Sequence, residues 1–300
     1  MKICHFNDDR LGLIEGERVL DVSAALAALP PLRWPLPSGD PLIAHLPALV
    51  AAIGRCRGAA VAQPLHAVRL HSPITAPTKV MAVPANYRLH VELDTRDPGV
   101  DQGVHRRALE GVARPVDTYG LFLKAASAIV GPAEGICTVL PERRTDHEVE
   151  LAVIIGRAGR SIPRERAMQH VAAYCIGLDL TVRGAEDRSF RKSPDSYAVL
   201  GPWLVTADEI ADPHALALSL WVNGERRQHS STAAMTVDIP DLIAVASAMY
   251  TLHPGDVIMT GTPEGVGPLL PGDEVRAACE GIGEMRLQVR AREDHPMGER

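Results

Sequence analysis

Aromatic residues are scarce in this chain. Five tyrosines, three tryptophans and three phenylalanines make up 4% of 300 residues. That is thin material for a pocket that stacks large flat rings, and it suits a small, polar, anionic ligand instead. Cysteines are few and unpaired. Cys4, Cys56, Cys137, Cys175 and Cys279 are odd in number, widely spaced and without a CxxC pair. The pattern excludes a zinc ribbon or a thioredoxin-type motif and leads us to expect reduced thiols in a cytoplasmic protein. There is no basic excess: 31 Lys and Arg face 37 Asp and Glu, a net charge of −6. A general nucleic-acid surface, which must neutralise phosphates, is therefore not expected. No apolar run has the length of a bilayer span, since Leu42 to Ile53 is interrupted by His45 and Pro47. Met1 to Asp9 lacks the apolar stretch of a signal peptide. The expected partners exclude nucleic acid and membrane.

What is present is an ordinary globular composition, 46% hydrophobic and 23% charged. A chain of this length buries a core without disulfides, as one large domain or one with a small companion. Residues 1–70 read as a small α/β N-terminal domain. Cys4 to Asn7 and Leu11 to Leu20 look like short strands, and Ala24–Ala28 and Pro41–Ile53 look helical. A Pro-punctuated stretch from Ser72 to Pro77 sets a boundary near residue 70. Residues 71–300 read mostly as β. Strands are expected at Lys79–Val83, Leu151–Ile155, Leu216–Val222, Asp256–Thr260 and Asp273–Ala277, with an Asn223-Gly224 hairpin turn. Helices are expected at Pro163–Tyr174 and Ile239–Tyr250. Residues 91–118 are polar and weakly patterned, with a short helix near His105–Val112. The fold class is α+β.

The chemistry concentrates on carboxylates. Glu148 and Glu150 stand at i and i+2 before an apolar strand, so they point to one face. A lone Glu-x-Glu is commonly a solvated strand start. Asp179, however, sits in the apolar run Ile176-Gly-Leu-Asp-Leu-Thr, where an unpaired carboxylate is costly. Two neighbouring acids raise each other's pKa, and a shared cation removes that cost. Three carboxylates suit a hard cation, Mg²⁺ or Mn²⁺.

These segments resemble the fumarylacetoacetate hydrolase family. The resemblance is carried by Thr145-Asp-His-Glu-Val-Glu-Leu-Ala-Val-Ile-Ile-Gly, by Gly177-Leu-Asp-Leu-Thr-Val-Arg and by Arg191-Lys-Ser-Pro-Asp-Ser-Tyr-Ala-Val-Leu-Gly-Pro-Trp. It continues through Val222-Asn-Gly-Glu-Arg-Arg-Gln, Leu252-His-Pro-Gly-Asp-Val-Ile-Met-Thr-Gly-Thr-Pro-Glu-Gly and Pro271-Gly-Asp-Glu-Val. Upstream, Lys79-Val-Met-Ala-Val-Pro-Ala-Asn-Tyr-Arg-Leu-His and Leu121-Phe-Leu-Lys match the opening motifs. The resemblance implies a mixed β-roll catalytic domain, usually a homodimer, with Glu148, Glu150 and Asp179 ligating Mg²⁺ or Mn²⁺. The implied substrate is a small 2-oxo acid, of acylpyruvate or fumarylpyruvate type, whose C–C bond is hydrolysed.

Other roles follow motif by motif. Lys192 matches a lysine facing metal and substrate, suited to stabilising an oxyanion or enolate. Arg183 matches an arginine that neutralises the carboxylates or holds a substrate carboxylate. Thr262 matches a threonine that hydrogen-bonds the substrate carboxylate. Gln228 and Lys124 also match, and Tyr87 is a lining candidate. His90 matches the general-base histidine. Hydrolytic relatives often carry a glutamate three residues after it. Here that position is Leu93, and Glu92 is offset by one residue, about 100° around a helix. Asp94, His105 and Glu110 are further candidates for the missing group, and Arg88, Arg106 and Arg107 for a second substrate carboxylate. The departure keeps two alternatives open: a metal-dependent decarboxylase or keto–enol isomerase, and a non-catalytic metal- and ligand-binding relative.

Overall fold

The computed structural model of the chain describes residues 1–89 and 114–292. His90, Glu92, Leu93, Asp94, His105, Arg106, Arg107 and Glu110 lie outside the described residues, as does the short helix expected near 105–112.

The chain opens with β1 (Lys2–Phe6), β2 (Arg10–Glu15) and β3 (Arg18–Asp21), an antiparallel meander that β4 (Val61–Pro64) extends. Between β3 and β4 lie α1 (Pro41–Ala44) and α2 (Leu46–Cys56). The single helix expected over 41–53 thus breaks at His45. Pro47 falls in the first turn of α2, where its missing N–H costs nothing. The inward face of α2 buries Leu46, Leu49, Ala52 and Ile53 in a cluster with Ile3, Leu13, Leu20 and Val22. The meander also pairs with the rest of the chain: Ile3 of β1 lies opposite Leu204.

Next come β5 (Leu70–His71), β6 (Val80–Ala82), α3 (Pro115–Tyr119), β7 (Phe122–Lys124), β8 (Ile129–Val130) and β9 (Ile136–Thr138). The centre of the molecule follows. It consists of β10 (Thr145–His147), β11 (Val149–Ile155), β12 (Val171–Asp179), β13 (Thr181–Val182), α4 (Arg188–Lys192) and β14 (Ala198–Thr206). Every residue of β11 and β14 is buried, which explains why both are apolar apart from Glu150 and Thr206. The chain ends through β15 (Ala217–Val222), β16 (Glu225–Ser231), α5 (Ile239–Met249), β17 (Val257–Met259), β18 (Gly267–Leu269), β19 (Glu274–Cys279) and β20 (Gly283–Ala291).

Among the described residues, one sheet runs β4-β3-β2-β1-β14-β12-β11-β17-β6-β7, with β5 on β1 and β8 on β14. Two smaller sheets, β13-β10-β18 and β16-β15-β19-β20-β9, complete the body. Antiparallel pairs dominate, with parallel pairs at β14–β8, β17–β6 and β20–β9. The α+β class expected from the sequence is the one observed. The β15–β16 hairpin turns at Asn223 (φ 51°) and Gly224 (φ 82°), the positive-φ pair that an Asn-Gly turn supplies.

One expected element is different. The helix read over Pro163–Tyr174 is a 3₁₀ segment, Arg164–His170, followed directly by β12. Val171 to Asp179 pair on one edge with β11 and on the other with β14, and that two-sided hydrogen bonding overrides the local helical pattern. The Ile239–Tyr250 helix forms as α5, with Asp238 accepting from Asp241 N–H at its start.

Candidate metal centre

Glu148 occupies the one-residue break between β10 and β11, and Glu150 is the second residue of β11. Asp179 closes β12, and its N–H donates to the Glu148 carbonyl at 2.9 Å. The register thus brings a carboxylate from one strand beside the Glu-x-Glu of its neighbour. Carboxylate oxygens of Glu148, Glu150 and Asp179 all lie within 4.8 Å of one another, and all three residues are buried. This is the trio expected from the sequence.

The trio is neutralised unevenly. Lys192, at the end of α4, donates to Glu148 Oε2 (2.8 Å), Asp179 Oδ2 (2.8 Å) and Thr181 Oγ1 (2.6 Å). All three of its ammonium protons are thereby used. Lys124, from β7, donates to Asp179 Oδ1 and to the Lys192 carbonyl. Burial opposes charge on both lysines. Asp179 and Glu148 outweigh it at Lys192 and hold its pKa above the ordinary value. At Lys124 burial wins, aided by the Lys192 charge, and the pKa falls. Glu150 receives neither ammonium. Among the described residues its carboxylate accepts one hydrogen bond, from Gly261 N–H at 2.7 Å. Burial, then Asp179 and Glu148, push its pKa well above the usual carboxylate range. An acid so placed fits a shared hard cation, because oxygen donors and uncompensated negative charge are what Mg²⁺ and Mn²⁺ require. Gly261 makes its contact at φ 96°, and a Cβ there would lie 2.7 Å from Asn86 Cβ.

Around the trio, Arg183 donates through Nε to Asp146 (2.8 Å) and through Nη2 to Glu148 (3.4 Å). It ion-pairs with both carboxylates. Asp146 also accepts from Arg144 Nε at 2.6 Å. On the opposite wall, the backbone fixes the Gln228 amide. Val149 N–H donates to its Oε1, while its Nε2 donates to Thr262 Oγ1 and the Pro263 carbonyl, each at 2.9 Å. Thr262 spends its own hydroxyl proton on the Val149 carbonyl (2.9 Å), so contact with a ligand carboxylate requires that hydroxyl to turn. His147 Nδ1 lies 3.0 Å from Gln228 Oε1, which makes Nδ1 the protonated nitrogen; burial holds its pKa below the ordinary value.

Tyr87 is buried, and its hydroxyl has no hydrogen-bond partner among the described residues. Burial and the Glu150 charge raise its pKa. Its neighbour Asn86 locks the segment in place, donating to the Val237 and Thr260 carbonyls and accepting from Val237 N–H and Thr236 Oγ1. The structure therefore brings Glu148, Glu150, Asp179, Lys192 and Arg183 into direct hydrogen-bonded or carboxylate contact. Gln228 and Thr262 brace the adjacent strand β11. Asp146, Arg144 and Thr181 were not singled out from the sequence. Asp146 was findable, since it continues the alternation of Glu148 and Glu150 one step upstream.

The comparisons with known proteins bear on the family. Residues 79–290 match the family described as fumarylacetoacetate (FAA) hydrolase C-terminal. The chain is 50% identical over 291 residues to a maleylpyruvate hydrolase of Aquipseudomonas alcaligenes, covering 97% of this chain and all of the relative. It is 37% identical over 233 residues to an oxaloacetate tautomerase of Rattus norvegicus, covering 73% and 69% of the two chains. Among solved structures, maleylpyruvate hydrolase from Sphingobium sp. SYK-6, in complex with manganese(II) ion and pyruvate, superposes with a TM-score of 0.79 at 37% identity, covering 98% of this chain and all of that one. With a matched segment that contains the whole carboxylate trio and a relative similar over its entire length, this chain belongs to the fumarylacetoacetate hydrolase family.

Proposed function

We propose that this protein is a divalent-metal-dependent hydrolase that cleaves a C–C bond of a 2-oxo acid of the acylpyruvate type, in the fumarylpyruvate and maleylpyruvate class. The observation that carries the reading is the trio Glu148, Glu150 and Asp179, neutralised at two of its members and not at the third. The full-length likeness to a maleylpyruvate hydrolase supports the substrate class. Mg²⁺ or Mn²⁺ held by the three carboxylates would supply Lewis acidity toward the 2-keto group and the enolate left by cleavage.

The protein's own groups supply the rest. Lys192 presents a fixed positive charge where enolate charge develops. Tyr87 offers a hydroxyl with no partner among the described residues, at the edge of the Glu150 field. Thr262 and Gln228 hold β11 and take the pyruvyl carboxylate when the Thr262 hydroxyl turns. His90 is the general base and Glu92 its carboxylate partner; both assignments rest on sequence. A small N-terminal domain over 1–70, a β-roll catalytic domain, a homodimer and a cytoplasmic location belong to the same reading. The separate apolar cluster of residues 3–53 supports the first of these.

The test is product analysis with Mn²⁺ on an acylpyruvate. Pyruvate plus a free acid, lost in Glu148→Ala, is the expected result. A second reading, keto–enol isomerase, draws on the tautomerase relative and on Leu93. Isomerisation or carbon dioxide release without pyruvate formation would establish that reading, or a decarboxylase, in place of ours.

A further inference from the structure

Among the described residues, the cations in the corner around the trio each have a carboxylate except Arg191, which is buried, and Arg188. Lys124 has Asp179, Lys192 has Glu148 and Asp179, Arg183 has Asp146 and Glu148, Arg144 has Asp146, and Arg143 has Glu186. Arg191 is only 6% exposed, yet no carboxylate of the described residues lies within ion-pair distance of it. Its Nε donates to the Glu186 carbonyl at 2.8 Å, and neither Nη nitrogen has an acceptor among the described residues. A guanidinium buried to this degree without an anion is costly and is seldom left so.

Its surroundings make the cost larger. Burial, then Arg183 and Arg188, lower its pKa, with Glu148 and Glu186 acting in the opposite sense. Arg188 lies one helical turn away on α4, near the Phe122 ring (5.8 Å to the ring centroid), and Lys192 Nζ lies 5.2 Å from the same centroid. Arg188 likewise has no carboxylate among the described residues. The helix that delivers Lys192 to the trio thus carries two further cations that have no direct ion pair among the described residues. A monocarboxylic 2-oxo acid spends its charge at the metal. A dicarboxylic one brings a second carboxylate, and a planar fork of N–H donors matches that group.

We propose that Arg191, backed by Arg188, receives the far carboxylate of a dicarboxylic 2-oxo acid whose keto-acid end lies at the Glu148–Glu150–Asp179 trio. The proposal rests on the 2-oxo-acid reading of the metal centre. It makes Arg191 the residue that separates dicarboxylic from monocarboxylic substrates. The competing role is an internal counter-charge to Glu148, which would affect all ligands alike.

The experiment compares two unreactive probes of matched length, 2-oxoglutarate and 2-oxopentanoate, by calorimetric titration of the full-length Mn²⁺-loaded protein. We expect the wild type to prefer the diacid by at least about tenfold, the range of a charge-assisted hydrogen bond. Arg191→Gln should erase that preference by weakening 2-oxoglutarate while leaving 2-oxopentanoate unchanged. Arg191→Lys, which keeps the charge and loses the fork, should retain part of it, and Arg188→Gln should reduce it by a smaller factor. Equal weakening of both probes in Arg191→Gln, an intact preference, or no preference in the wild type would overturn the proposal. In turnover, the expected loss for a carboxyl-ended acylpyruvate falls on KM rather than kcat. If the wild type releases no pyruvate from any acylpyruvate, the hydrolase reading fails, while the probe preference still decides the role of Arg191.

Discussion

Asp256, beside β6, is completely buried and is surrounded by donors: Thr78 N–H, Thr78 Oγ1, Lys79 N–H and His253 N–H, with the Lys79 ammonium beside them. Asp40 is similar, capping α1 through Leu42 and Ile43 while accepting from Thr75 and Ala76. Glu150 is as deeply buried, at 1% exposure, and accepts one hydrogen bond among the described residues. The difference separates two uses of a buried carboxylate. Asp256 and Asp40 tie distant backbone segments together, and their charge is satisfied by the fold. Glu150 is held in place by the fold and short of partners among the described residues, so its neutralisation comes from a proton or from a bound ion.

The comparison can be broken by swapping the consequences of mutation. The largest expected effect is on turnover. Glu150→Gln, which keeps shape and removes charge, should lower kcat/KM by about a thousandfold or more, because metal-centred charge stabilisation is lost. Steady-state kinetics at saturating Mn²⁺ checks this. Asp256→Ala should do the reverse. It strands Lys79 and several N–H groups, so we expect a stability loss of about 3 kcal/mol or more by urea denaturation, with Mn²⁺ affinity retained.

The third effect is smaller and depends on pH. The pKa of Glu150 is raised in the folded protein, so between its ordinary and raised values the folded state holds a proton that the unfolded state has released. Stability of the metal-free protein therefore falls as pH rises through that window and recovers as pH drops toward the ordinary carboxylate value. Mn²⁺ affinity runs the opposite way, because the ligand must be deprotonated. Melting curves across pH with and without Mn²⁺ should diverge accordingly. The slope of the metal-free curve should flatten in Glu150→Gln.

Much of the centre was legible before the structure was seen, for physical reasons. Glu148 and Glu150 share a face because strands alternate, and Asp179 stood out as a charge in an apolar run. The Asn223-Gly224 turn announced itself through its tolerance of positive φ. What escaped depended on long-range partners. The donors to Asp256 from Thr78 come from 178 residues away, so nothing local marks that acid as structural. The segment around 171–174 looked helical until pairing with two flanking strands was known. The pairing of β1 with β14 was equally invisible, although it joins the first strand of the chain to the central sheet. Arg191 reads as an ordinary basic residue beside Lys192; only its burial and missing partner distinguish it.

The central claim is that Glu150 is left unsatisfied for a cation. It is tested most directly by melting wild type and Glu150→Gln with and without Mn²⁺. The account predicts that, without metal, Glu150→Gln melts at or above the wild type, because a buried acid short of partners has been replaced by a neutral side chain. It also predicts that Mn²⁺ raises the melting temperature of the wild type and leaves the variant unmoved. A metal-free variant that melts well below the wild type and still gains stability from Mn²⁺ would contradict it.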